Sequence, residues 1–241
     1  MKIKTIKKVL KEKFDDFCKS ITDEKVRKLV QQNTIITGGA IASMLLQEKV
    51  NDFDLYFTDK ETTLAVARYY VKKFKDDPEV SKTYDIPVLD HNTESKDTGR
   101  VQLKVSSLGV AKTDDVDKAT EYSDPESELA KELTGIDLTD GTEKAAEDDD
   151  TKRYRPVYLS DNAITLSHKV QLIIRFYGQP EEIHENYDFV HAMNYWRSDT
   201  SELHTKKEAL EALLSRTLVY NGSRYPVASV LRAKKFLQRG W

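Results

Sequence analysis

The chain has 241 residues, 39% hydrophobic and 33% charged, with 9 Gly and 6 Pro, a composition that excludes collagen-like, low-complexity and wholly disordered classes. At this length it can bury a sizeable core without covalent staples. A single cysteine, Cys18, excludes a disulfide framework and a cysteine-rich zinc cluster. No apolar run approaches the roughly 20 residues of a membrane span, and the basic start lacks the apolar segment of a secretion signal. These features imply a soluble, cytoplasmic protein with no membrane association. The net charge of −3 hides a division along the chain: residues 114–150 carry 15 acids against Lys118, Lys131 and Lys144, a net of −12 that leaves the rest at +9. A basic body of that kind suits phosphate-rich ligands.

In chain order, Ile6, Val9, Leu10, Phe14 and Phe17 recur at helical steps and predict an amphipathic helix over about 5–20. Thr22 and Asp23 are cap candidates for a second helix over 23–32. The β-branched run 34–37 predicts a strand, closed by Gly38 and Gly39 and followed by a helix over 40–47, a strand over 52–57 and a helix over 60–75. The best strand candidate of the middle region is 101–107. The thin apolar content of 114–150 predicts an acidic, flexible insert, within which Asp124, Pro125 and Glu126 read as a helix start and Gly135 as its stop.

Beyond the insert, 163–166 and 170–176 predict a hairpin about the polar turn 167–169, followed by a short helix over 181–185 and an aromatic strand over 187–195. The end reads as a helix near 202–214, a strand over 218–220, a turn at Asn221-Gly222 and a basic helix over 226–239. The terminal Trp241 suggests a packing surface outside this sequence, as in a fragment. The expected fold is α+β: a mixed sheet flanked by helices, formed by 1–113 and 151–241, with 114–150 as the insert.

The residues that carry chemistry lie between Thr37 and Phe57. A strand that enters a Gly-Gly turn at a helix N-terminus presents free backbone amides to an anion, and the absence of side chains allows close approach. The next strand carries Asp52 and Asp54; at i and i+2 both carboxylates fall on one face, where they can share a hard cation such as Mg²⁺.

Gly38-Gly39 followed by Asp52-Phe53-Asp54-Leu55 resembles the DNA polymerase β-like nucleotidyltransferase superfamily, and more closely the head domain of bacterial-type CCA-adding enzymes and poly(A) polymerases. Asn186 to Tyr195 and Leu231 to Phe236 are similar to two later family segments in the family's order. The resemblance implies a nucleotidyltransferase-type sheet and Mg²⁺ or Mn²⁺ on Asp52 and Asp54. It also implies an NTP triphosphate on Gly38 and Gly39, Arg175 neutralising developing charge, and transfer of a nucleoside monophosphate to an acceptor hydroxyl, with an RNA 3′ end favoured. Asp188 is the candidate third catalytic acid, because Gln171 stands where the family has a carboxylate; Asp90 and Asp85 are more distant alternatives. Lys169, Arg232 and Lys235, among other cations and with Tyr195, Trp196 and Tyr225 nearby, form a candidate nucleic-acid surface. Asn186 and Tyr187 replace an Arg-Arg pair, and Tyr225, Pro226 and Ser229 replace the charged residues that read the incoming base. Two other readings stand beside this one: an inactive nucleotidyltransferase-fold module binding RNA or protein, and an enzyme acting on a protein or small molecule. Short versions of the domain look phage-like. The histidines match no zinc spacing, and the oligomeric state is open.

Overall fold

The computed structural model describes residues 1–78, 80, 85–91, 100–105, 110–111, 153–223 and 226–241. The acidic stretch 114–150, the helix expected within it, Arg224 and Tyr225 lie outside the described residues.

The architecture is α+β, as expected. Helix α1 (Ile3–Lys19) buries Ile6, Leu10, Phe14 and Phe17, the stripe that its three- and four-residue spacing dictates. Helix α2 (Glu24–Asn33) starts where the Asp23 carboxylate accepts the amide of Val26 at 3.0 Å. Strand β1 (Thr34–Thr37) is buried throughout and runs through Gly38 into α3 (Gly39–Leu46). Strand β2 (Phe53–Phe57) leads to α4 (Lys60–Lys75), capped by Asp59 on the amide of Thr62 at 2.7 Å and basic in its last turn, as the helix dipole favours.

Strands β3 (Val88–His91) and β4 (Arg100–Leu103) form a separate antiparallel pair. Then follow β5 (Val110–Ala111), β6 (Pro156–Leu159), β7 (Ala163–Leu166) and β8 (Val170–Tyr177). Next come α5 (Pro180–His184), a 3₁₀ turn (Val190–Ala192), β9 (Tyr195–Arg197), β10 (Leu203–His204), α6 (Lys207–Ser215) and α7 (Pro226–Gln238). Among the described residues the main sheet has eight strands in the order β10-β9-β1-β2-β8-β7-β6-β5. It is antiparallel except where β2 and β8 run parallel.

The two sheet faces are unequal. Phe53, Leu55 and Phe57 of β2 join α1, α2 and α4 in the main core, together with Phe17, Tyr70 and Trp196. Tyr56 faces the other way, into a small cluster of Ile35 and Ile183 bordered by Ile173, Tyr187 and Tyr195. By strand alternation Asp54 shares that second face with Tyr56.

Three expectations are corrected. The run 187–195 is not a strand: Phe189 makes only an isolated bridge to Tyr220, and pairing resumes at Tyr195. Its residues do not alternate between an inner and an outer side, since Asp188, Phe189, His191, Met193 and Asn194 are all buried, and a segment buried on both sides turns inside the fold. Of 202–214, Leu203 and His204 pair with β9 as an edge strand before the helix begins at Lys207. Residues 218–220 contribute only the bridge at Tyr220.

Candidate functional site

The end of β1 and the starts of β2 and β8 meet at one end of the sheet. Thr37 is the register partner of Asp54, and Asp54 is the register partner of Gln171. Gly38 has φ +92° and ψ −152°, a conformation that side chains disfavour. Its amide donates to the carbonyl of Ala192 at 3.1 Å. A β-carbon on Gly38 would lie 2.8 Å from Oδ2 of Asp54 and 3.5 Å from the Tyr187 hydroxyl, whereas one on Gly39 would meet nothing within 4 Å. The Gly-Gly turn therefore closes over the carboxylate on one side and opens outward on the other. Helix α3 has no side-chain cap and no acid in its first turn, so its first amides have no side-chain acceptor of that kind.

Burial raises the carboxyl of Asp52, opposed by a hydrogen bond from its own backbone. Burial and the neighbouring Asp52 charge push Asp54 well above the usual carboxylate range. Two carboxylates that resist ionisation side by side form an oxygen donor set whose charge a cation would balance. Behind them, burial raises the Tyr56 and Tyr187 hydroxyls, which hydrogen-bond with each other.

A buried histidine supports the turn. His184 Nε2 lies 2.9 Å from Thr37 Oγ1, which in turn lies 3.0 Å from the carbonyl of Asn194. With the threonine hydroxyl donating to that carbonyl, Nε2 carries the imidazole proton. Burial, with a smaller contribution from the Lys206 charge, lowers the His184 pKa to about 3. The sequence reading missed this triad; its one local signal is Thr37, a polar residue at the end of a strand that is buried throughout.

Of the other predicted residues, Arg232 lies near enough to the site for its charge to favour ionisation of the Tyr56 hydroxyl, against the larger effect of burial. Asp188 is buried and paired with Arg232 of α7, and its carbonyl accepts the amide of Asn221 at 2.7 Å. Among the described residues no three of His, Cys, Asp and Glu come together as a metal site, and the side-chain partner of the Asp188 carboxylate is Arg232. The register position next to Asp54 belongs to the amide of Gln171. Asp90 pairs with Lys60 at 2.6 Å and Asp85 lies 3.9 Å from Lys75.

Arg175 is buried with its guanidinium 5.3 Å from the Phe176 ring centre. Four strand residues, roughly 13 Å of rise, separate it from Gln171. Lys169 has φ +59° in the β7–β8 turn, and its carbonyl accepts the amide of Phe53 at 2.9 Å. Arg232 serves Asp188, while Lys235 is exposed on α7. Trp196 is a core residue against Phe14 at 5.2 Å, and Tyr195 stacks on His204 at 4.8 Å, so these rings do not form a stacking platform with the α7 cations. Cys18 is buried, which with the nearby Asp15 pushes its thiol up to about 12. Among the described residues no helix is long and apolar enough to cross a membrane.

No curated protein matches the chain. The family model that matches covers residues 8–216 and is described as Gabija anti-defense 2 family protein. That match overturns the resemblance to nucleotidyltransferases and CCA-adding enzymes, and with it the expected transfer of a nucleoside monophosphate to an RNA 3′ end. It extends over most of the chain, whereas the resemblance rested on short segments, the last of which, Leu231 to Phe236, lies beyond the matched range. By this match, the chain belongs to the Gabija anti-defense 2 family.

Proposed function

We propose that this chain is a phage-encoded protein that counters Gabija defence in the cytoplasm of the infected cell, and that it does so through a site for a divalent cation and a phosphate-bearing ligand at Asp52, Asp54 and the Gly38-Gly39 turn. The family's description supports the first part. The observation that carries the second is the placement of the Asp54 carboxylate directly against Gly38, beside the uncapped start of α3. Mg²⁺ or Mn²⁺ held by the two carboxylates would lower the cost of keeping both ionised and would draw charge from a phosphoryl oxygen. The helix amides and the open side of Gly39 would receive the remaining phosphate oxygens.

The activity proposed is metal-assisted chemistry on the bound phosphate compound, which lets one copy act more than once. The test is phage plating on cells with and without the Gabija system, expressing either the wild-type chain or Asp52→Asn with Asp54→Asn. Wild type should restore plating on Gabija-positive cells and the double variant should not. Equal rescue by a folded double variant would remove the carboxylates from the mechanism. In parallel, thermal unfolding of the wild type with Mg²⁺ and each of the four NTPs should show metal-dependent stabilisation that the variant lacks.

A further inference from the structure

Helix α7 meets the body at the segment that anchors the Gly38 turn. Its outer stripe, Val227, Val230 and Leu237, is exposed, while Ala228 and Ser229 on the inner side are buried. Just past the helix, Gly240 has φ +81° and donates its amide to the carbonyl of Leu237 at 3.1 Å, and the amide of Trp241 donates to the carbonyl of Phe236 at 3.1 Å. Two such bonds about a left-handed residue fold the chain back, so that the following side chain meets the third from last of the helix. The Trp241 and Phe236 rings accordingly lie 5.5 Å apart between centres.

Both rings close on His191. Its imidazole centre is 4.5 Å from that of Trp241 and 4.6 Å from that of Phe236, with Phe189 at 6.1 Å. His191 is 2% exposed, yet neither its Nδ1 nor the Trp241 Nε1 has a hydrogen-bond partner. Burying such atoms unpaired costs free energy, so ring packing, and not a bond at these atoms, joins the two residues.

His191 and Ala192 are the central residues of the 3₁₀ turn, which the amide of Met193 closes on the carbonyl of Val190 at 3.1 Å. The Ala192 carbonyl faces the candidate site: it accepts the Gly38 amide at 3.1 Å, and the Thr37 hydroxyl lies 3.4 Å away. The residue that α7 clamps is thus the neighbour of the one that orients Gly38, and Gly38 leads directly into α3. The carboxylates are held differently, because Asp54 belongs to a strand paired on both sides by β1 and β8.

We propose that Trp241 and Phe236 are positioning residues for the phosphate half of the site: by clamping His191 they hold the Ala192 carbonyl, and through it the Gly38 amide and the start of α3, in place for a phosphate. This rests on the reading of Gly38-Gly39 as a phosphate seat. Backbone bonds from Val190 to Val219 at 3.0 Å and from Asn221 to Asp188 at 2.7 Å also brace the segment, so the share of the rings is what has to be measured.

The test is calorimetric titration of the full chain with Mg²⁺ alone and with inorganic triphosphate in the presence of Mg²⁺. Trp241→Ala and His191→Ala should each bind triphosphate about tenfold more weakly, as for loss of an outer partner at a metal site, while Mg²⁺ alone binds as to wild type. Trp241 is only half-buried, so its variant carries the test if His191→Ala does not fold. Gly240→Ala, whose β-carbon would meet nothing within 4 Å, should weaken triphosphate binding through the backbone alone. His191→Phe keeps the ring contact and should bind as wild type. Val66→Ala, a truncation in the main core, should lower the melting temperature without changing triphosphate affinity.

Wild-type triphosphate affinity in folded Trp241→Ala overturns the clamp and leaves the phosphate seat standing on its backbone braces. Equal weakening in Val66→Ala also overturns it, since the effect is then a general loosening. Absence of triphosphate binding by wild type removes the phosphate seat itself, and this inference with it.

Discussion

Gly38 and Asp54 occupy one another's space: a β-carbon at residue 38 would stand 2.8 Å from Oδ2 of Asp54. The two residues come from adjacent strands, where Thr37 and Asp54 pair in register. The glycine is required twice over, by its φ of +92° and by the carboxylate beneath it. Gly38→Ala should therefore lower unfolding stability by about 1–3 kcal/mol and weaken stabilisation by Mg²⁺. Gly39→Ala, with open space at its β-carbon, should be neutral or stabilising by up to about 1 kcal/mol, yet should weaken binding of a phosphate ligand that approaches the helix start. Urea unfolding with and without Mg²⁺ and nucleotide separates the two.

Asp54→Asn should stabilise the metal-free protein. Its folded pKa is raised above the unfolded value, so between those two values the folded state holds the proton more tightly and stability rises as pH falls. Above the unfolded value, burying a group that is charged in the unfolded chain opposes folding, and the uncharged amide removes that opposition. The same substitution should abolish the Mg²⁺-dependent shift in melting temperature. A variant that loses stability and keeps the metal shift would exclude Asp54 as a ligand.

Acid should act in the opposite direction through the histidines. Burial, the larger cause, and the Lys206 and Arg239 charges lower His184 to about 3 and His191 to about 4. Their unfolded-state values lie near 6.5. The unfolded chain therefore takes up protons first, and the stability these residues provide is complete above pH 6.5 and lost as pH falls toward the folded values. Each histidine should contribute a slope of up to about 1.4 kcal/mol per pH unit in that window. Comparing urea unfolding of wild type and His184→Gln between pH 7 and pH 4.5 isolates the His184 part, and parallel curves would contradict it.

Arg232→Ala should destabilise the chain by about 3 kcal/mol, because it leaves the buried Asp188 carboxylate without its guanidinium. Asp188→Asn should leave the Mg²⁺-dependent thermal shift unchanged, since Asp188 pairs with α7 and not with the other two carboxylates. Loss of that shift in a folded Asp188→Asn protein would return Asp188 to the metal site.

The helices, and much of the site, were legible from local sequence. Helix α4 could be bounded at residues 60 and 75 because Asp59 caps it and its apolar positions repeat. The Gly-Gly turn and the Asp-x-Asp pair were visible because a turn's φ and a strand's alternation are properties of neighbouring residues. The reaction read from them was not reliable: a strand, a glycine turn, a helix and an acidic strand specify a shape for anions and cations, and short segments do not fix a family. The partner of Asp188 was not legible: an acid in an apolar segment demands one, and nothing nearby in sequence shows that it is Arg232, 44 residues later.

The sequence by itself determined helix faces, caps, the turn at Gly38 and the shared side of Asp52 and Asp54, since each depends on steps of a few residues along one element. Only the tertiary structure decided that Gln171 flanks Asp54, that His184 reaches Thr37 from 147 residues away, and that one stripe of α7 remains open. Those relations follow from the order and register in which distant strands and helices pack, and the free energy that selects them is spread over the whole core.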